Sequence, residues 1–271
     1  MVEPLVKGPW LAAHLDDADL LVVDCRFVLG DREGGHRLYE TSRLPGASFL
    51  GVDADLAAPV GPSTAAGPVG GRHPLPARVD LELAVRTAGV SSGTHVVAYD
   101  QAMTGGAARL WWLLRHHGFE RCSVLVGGFA AWDGPLEEGE PPPRATGDVT
   151  LAEGREDTVD AAAVQRGEVT VLDARAPERY AGEVEPVDPA AGHIPGARNV
   201  PFSGAFCLDT GLLAHPGPLA VSCGSGVTAC VLLLGLAAEG RDDVRLYPGS
   251  WSDWVARGGD VETGPDRPGA W

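Results

Sequence analysis

Ala220-Val-Ser-Cys-Gly-Ser-Gly-Val-Thr-Ala-Cys-Val-Leu-Leu-Leu-Gly235 is the stretch that decides how the chain is read. Leu219 to Val221 is an apolar run of the kind that forms a buried strand, and it delivers Cys223 to the strand's carboxyl end. Gly224-Ser225-Gly226 permits a tight turn. Val227 to Glu239 is apolar nearly all round and free of proline, which predicts a buried helix. Cys223 therefore falls between a strand end and a helix amino terminus, where unpaired N–H groups and the positive end of the helix dipole converge on an anion. A thiolate is such an anion, and surroundings of this kind favour it over the thiol. A lone cysteine at a strand end is commonly a small buried hydrophobe. The flanking glycines, which let loop amides turn inward, argue for a nucleophile instead. The loop has neither the Gly-x-Ser-x-Gly spacing of a nucleophile elbow nor the Gly-Lys-Ser/Thr of a phosphate-binding loop.

Outward from this stretch, strands alternate with helices. Leu20-Leu-Val-Val-Asp-Cys25, His95-Val-Val-Ala-Tyr-Asp100 and Ser123-Val-Leu-Val-Gly-Gly128 are continuous apolar runs, as in parallel strands buried on both faces. Val79 to Ala88 and Gly106 to His117 read as helices, the second with Trp111 and Trp112 on its packing surface. The class is α/β with mainly parallel sheets flanked by helices. Charged residues and three consecutive prolines between Glu137 and Asp148 mark a linker, drawn at 141–150.

Beyond the linker the first half returns. Val22-Val-Asp-Cys-Arg26 becomes Val171-Leu-Asp-Ala-Arg175, and Leu44-Pro-Gly-Ala-Ser48 becomes Ile194-Pro-Gly-Ala-Arg198. Leu125-Val-Gly-Gly-Phe-Ala-Ala-Trp132 becomes Tyr247-Pro-Gly-Ser-Trp-Ser-Asp-Trp254. The order is kept while the spacing shortens, so the chain reads as two homologous domains, 1–140 and 151–271, the second shortened. Where the second copy has Cys223 the first has Asp100, so only the second half carries a thiol nucleophile.

A net charge of −16 argues against nucleic-acid partners. No run approaches the length of a membrane span, and the opening ten residues lack a charged-then-apolar leader pattern. These features give an expectation of a cytoplasmic protein with no membrane partner. Five cysteines without a Cys-x-x-Cys pair suit free thiols in a reducing compartment, not structural zinc.

Cys223-Gly-Ser-Gly-Val-Thr-Ala229 resembles the active-site loop of the tandem-domain rhodanese family, in the form typical of 3-mercaptopyruvate sulfurtransferases. Thiosulfate-using members more often carry Arg-Lys where this chain has Gly224-Ser225. The resemblance covers almost the whole chain. It implies an enzyme whose amino-terminal domain lacks the active cysteine, with the active site in the carboxyl-terminal domain at the domain interface. Cys223 would take a sulfur from 3-mercaptopyruvate or thiosulfate, become a persulfide, and pass the sulfur to cyanide, a thiol or thioredoxin. It implies no metal and no organic cofactor.

Carried over residue by residue, the resemblance assigns Cys223, Ser225, His73 and Asp53 to catalysis, the last three as a proton relay. It assigns Arg179, Gly224, Gly226, Val227 and Thr228 to substrate binding. Both donors are anions, so arginines are expected in the cleft. Arg175 is expected to tie the strand end to a carboxylate such as Glu178. A second arginine typical of mercaptopyruvate enzymes is replaced, in Glu185-Pro-Val-Asp188, by Val187. His193-Ile-Pro-Gly196 is expected to be a structural turn, and Cys230 core. The short interval Ser203 to Pro218, where relatives usually place a helix, is expected to leave one side of the second sheet open, or covered by another element or chain. Two alternatives fit the sequence less well. A cysteine-dependent phosphatase needs an arginine where Ala229 stands. A sulfur carrier without turnover does not need so complete a loop.

Overall fold

The computed structural model describes residues 2–141 and 143–266. Two compact units divide the chain. One runs through Ala58 and resumes over Pro76–Arg155; the other combines Pro59–Leu75 with the chain from Glu156 onward.

In chain order the elements are β1 (Leu5–Val6), α1 (Gly8–His14), β2 (Leu20–Asp24), α2 (Gly34–Thr41), β3 (Ser48–Phe49), β4 (Ser63–Thr64), β5 (Gly67–Pro68), α3 (Arg78–Thr87), β6 (His95–Tyr99), α4 (Gly106–His116) and β7 (Cys122–Leu125). There follow α5 (Ala161–Gln165), β8 (Thr170–Asp173), α6 (Pro177–Tyr180), β9 (Arg198–Asn199), α7 (Thr210–Leu213), β10 (Leu219–Ser222), α8 (Ala229–Ala238), β11 (Arg245–Leu246) and α9 (Ser250–Ala256). The first unit holds a five-stranded sheet in the order β1-β7-β6-β2-β3, and the second a four-stranded sheet in the order β11-β10-β8-β9. Every ladder in both is parallel. No helix among the described residues is long and apolar enough to cross a membrane.

The duplication seen in the sequence is a duplication of contacts. Arg26 clamps Asp24 with its Nε 2.9 Å from Oδ2, and Arg175 clamps Asp173 at 3.1 Å in the same way. Their guanidinium carbons lie 4.2 Å from the Phe129 ring and 4.7 Å from the Trp251 ring. Tyr39 donates to the Ala47 carbonyl, and Tyr180 to that of Ala197. A buried ion pair is retained only where further hydrogen bonds satisfy it. Here Arg26 also reaches Leu38 O and Arg175 reaches Gly192 O.

Two expectations change. The interval from Ser203 to Pro218 is not without a helix: Asp209 caps α7 by accepting from Gly211 N. Ala205 and Leu212 are buried, and Gly235 of α8 lies so close to the Ala205 carbonyl that any Cβ there would overlap it. The residues Val171–Asp173 and Leu219–Ser222 are buried, so the second sheet is not left open. Residues 138–140 and 143–146 are exposed, yet the segment is pinned to the first unit on either side. Arg43 and Glu137 exchange backbone hydrogen bonds, and Gly147 N and Val149 N donate to Arg86 O and Val90 O. His193 is structural, its Nδ1 2.8 Å from Tyr180 O and its ring stacked on Tyr180.

Candidate active site

Cys223 follows β10 directly and is 1% exposed. Its Sγ accepts from Gly226 N at 3.1 Å and from Ser225 N at 3.4 Å, so the loop folds around its own sulfur. Gly226 sits at φ +80°, a left-handed conformation that glycine adopts freely, and this turns the amides inward. The backbone of Cys223 is fixed from the other side. Its N–H donates to Ser250 Oγ and its carbonyl accepts from Trp251 N, at 3.1 and 3.0 Å. Ser250 is fully buried with φ +53° and donates to Tyr247 O, so its hydroxyl is held as well. Val227 is buried and Thr228 half-buried between this turn and α8.

Pro59–Leu75 forms an arm, opened by the β4–β5 hairpin, that packs on α9. Gly70 N donates to Asp253 Oδ1 at 2.6 Å, and Arg72 N to Ser252 Oγ at 3.2 Å. Gly71, at φ +87°, lies where a Cβ would come within 2.6 Å of Gly249 O, so this approach requires glycine. The arm ends with His73 Nδ1 2.8 Å from Ser225 Oγ. Ser225 and His73, 152 positions apart in the chain, are thus hydrogen-bonded within one unit. Asp53 belongs to the first unit, in the turn that follows β3.

Arginines and carboxylates alternate beside the loop. Arg179, on α6, donates to Glu185 Oε1 at 2.6 Å and lies 3.5 Å from Asp188 Oδ2. Arg175 bonds Asp173 and reaches Glu185 Oε2 at 3.4 Å; the expected partner Glu178 is not the one it takes. Burial works against the charge on Glu185. The Asp188 and Val187 amides and Arg179 outweigh it, holding its carboxyl below the usual range. Burial prevails at Asp188 and raises its carboxyl.

Arg72 is the residue that sequence reasoning passed over. It forms an ion pair with Asp188. A Cβ added at Gly224 would lie 2.8 Å from Arg72 Nη2 and 3.7 Å from Arg179 Nη1. Both guanidiniums therefore border the space in which a side chain at position 224 would project. A lone arginine in a glycine-rich stretch gives no signal of this, because its neighbours are assembled only by the fold.

A family model described as Rhodanese-like domain matches residues 8–134 and again 158–257. A protein of Pseudomonas aeruginosa named "Probable 3-mercaptopyruvate sulfurtransferase" is 40% identical over 287 residues, 97% of this chain and 96% of its own length. One of Mycobacterium tuberculosis named "Putative thiosulfate sulfurtransferase SseB" is 39% identical over 274 residues, 92% of this chain and 93% of its own. The crystal structure of the 3-mercaptopyruvate sulfotransferase SseA from Escherichia coli matches with a TM-score of 0.75 at 32% identity, covering 93% of this chain and 100% of that one. Two matched segments, two parallel sheets and full-length relatives agree: the chain belongs to the rhodanese family as a tandem pair of rhodanese-like domains.

Proposed function

We propose that this chain is a sulfurtransferase of the 3-mercaptopyruvate or thiosulfate type in which Cys223 carries the sulfur. The observation that supports this most is the sulfur of Cys223 resting on two inward-turned loop amides at a strand end. In the first half-reaction the Cys223 thiolate attacks the donor's transferable sulfur, the sulfane sulfur of thiosulfate or the thiol sulfur of 3-mercaptopyruvate. With thiosulfate the S–S bond breaks and sulfite leaves. With 3-mercaptopyruvate the C–S bond breaks, the electron pair passes to the enolate of pyruvate, and a proton completes pyruvate. Either route leaves Cys223–S–S⁻, whose charge the loop amides can hold. A thiolate or cyanide acceptor then attacks the outer sulfur and releases Cys223 as thiolate, so no outside oxidant or reductant is needed.

Only the mercaptopyruvate route needs a proton, and Ser225, hydrogen-bonded to His73, is the group we assign to deliver it, with Asp53 as the third member of the relay. Arg179 and the loop residues Gly224, Gly226, Val227 and Thr228 are assigned to the donor. The test is incubation with each donor followed by intact-mass measurement. Wild type gains one sulfur atom; equal gain by Cys223→Ser would refute the assignment. The ratio of kcat/KM for the two donors then names the preferred one, about tenfold corresponding to 1.4 kcal/mol.

A further inference from the structure

We infer that the first unit holds a second binding site, a cavity at the edge of its sheet that takes a small organic cation ending in an amidinium or guanidinium. The cavity measures about 600 Å³, within the range of roughly 300–1,000 Å³ usual for small-molecule sites. It is bounded by α2, β3 and α3 and by the stretch that carries Pro141, Pro143 and Arg144, all of the first unit. β3 is the last strand of its sheet, so no further strand among the described residues fills this side. The described lining contains none of the residues assigned to sulfur transfer. The inference therefore goes beyond that reading and does not depend on it.

The lining side chains define what the cavity lacks. Three hydroxyls line it, and each gives its hydrogen to a backbone carbonyl. Tyr39 donates to Ala47 O at 2.7 Å, Ser48 to Ala88 O at 2.8 Å and Thr87 to Leu83 O at 2.9 Å. With their protons committed, these oxygens can only accept. The carboxylates of Asp55 and Asp80 add further acceptors. Glu137 is already engaged, its Oε1 accepting from Gly46 N at 3.1 Å and its Oε2 3.5 Å from Arg43 Nε. The cation in the lining, Arg144, gives Nη2 to the Gly46 carbonyl. Burial raises the Asp55 carboxyl despite the Gly51 amide and the charge of Arg32, and an incoming positive group would relieve that cost. The apolar wall is aromatic: the Phe49 ring lies 5.4 Å from that of Tyr39 and 5.3 Å from that of His36. Leu83 adds an exposed aliphatic side chain. Aromatic faces beside carboxylates attract a cation and reject an anion. A forked amidinium or guanidinium brings several N–H donors to this set of acceptors.

The test uses the intact chain at about 0.15 M salt, where the field of its net charge of −16 is screened beyond about 8 Å. Benzamidinium, benzamide and benzoate share nearly one shape and differ in charge. Each is titrated while backbone amide NMR shifts are followed. Benzamidinium is expected to shift the amides of Ser48 to Leu50 and of Leu83 with a Kd of about 1 mM or tighter. Benzamide is expected to bind at least about tenfold more weakly, and benzoate to leave these amides unmoved. Asp80→Asn should weaken benzamidinium about fivefold, and Leu83→Lys, which sets a like charge at the same wall, more than about tenfold. Both positions are exposed, so neither change threatens the fold, and urea midpoints check this. Equal binding of benzamidinium and benzamide, shifts scattered over other acidic surfaces, or wild-type affinity in both variants overturns the proposal. Absence of benzamidinium binding overturns it too. That includes the case in which only an extended basic peptide shifts the β3 amides, which would make this edge a protein-docking strand instead.

Discussion

The loop between Tyr99 and Gly106 and the loop between Ser222 and Ala229 have the same length and the same place in their sheets. In the first, Asp100 accepts through its carboxylate from the amides of Thr104, Gly105 and Ala107, at 2.9, 2.8 and 3.2 Å. In the second, the Cys223 sulfur accepts from Ser225 and Gly226. Outer contacts match as well: Phe129 N on Asp100 O corresponds to Trp251 N on Cys223 O. Both loops are anion cradles at a helix amino terminus. One is filled by a carboxylate that belongs to the chain and cannot accept sulfur. In the other the resident group is the Cys223 thiol, which we propose to carry the sulfur. On that reading a single side chain at the strand end separates a structural turn from a chemical one.

The sharpest way to break this comparison is Cys223→Asp. If the two cradles are equivalent, the variant folds with a melting temperature close to wild type and loses sulfur transfer by at least about a thousandfold, as removal of a nucleophile does. A variant that fails to fold would show that the second cradle tolerates no resident carboxylate. Next in size, Arg26→Met and Arg175→Met should each destabilise by about 3–5 kcal/mol, because each strands a buried carboxylate. Equal losses in urea unfolding would confirm that the halves share this element, and a much smaller loss at either would deny it.

Ser225→Ala separates the donors. Turnover of 3-mercaptopyruvate should drop about a hundredfold, within the range of general acid–base effects. Thiosulfate turnover, which releases sulfite without a proton, should fall far less. Equal falls would mean that Ser225 acts by holding the loop. Glu185 gives a pH dependence with a definite sign. Its carboxyl lies below the usual range, so its stabilising contribution is complete above the ordinary glutamate pKa of about 4.3 and is lost as pH falls further. The urea midpoint of wild type should decline in that acid range, and Glu185→Gln should flatten the decline. The smallest effect belongs to Ser250. Its counterpart Gly128 has φ +59° and no hydroxyl, so Ser250→Gly is expected to retain stability within about 1 kcal/mol while lowering kcat a few-fold, through the lost bond to the Cys223 amide.

Much of this was readable from residue order. Buried parallel strands announce themselves as apolar runs, and β2, β6, β7, β8 and β10 each carry one. The two-residue strands β1, β3, β9 and β11 do not, since a pair of residues has no periodicity and is defined by its neighbour in the sheet. Cys223, Ser225 and His73 stand out through a loop motif and a resemblance. Arg72 and the destination of its arm stay hidden for one physical reason. The arm is held by backbone amides on Asp253 and Ser252 and by a glycine-to-glycine approach, none of which leaves a hydrophobic pattern. The partner of Arg175 is hidden in the same way: Glu178 is nearer in sequence, but the fold brings Glu185 to it.

The arm also sets an order on events during synthesis. Gly70 and its partner Asp253 are separated by 183 positions, and at roughly 5–20 residues per second the ribosome needs about 10–40 s to make that span. Throughout that time the first unit can close its own sheet, since all five strands precede Ala131. The segment with Arg72 and His73 has to stay out of that closure as a loop. It docks only when α9 has left the exit tunnel. The last described helix thus completes the anchoring of a segment made 183 positions earlier, and the Arg72–His73 arm has no seat until α9 has been synthesised.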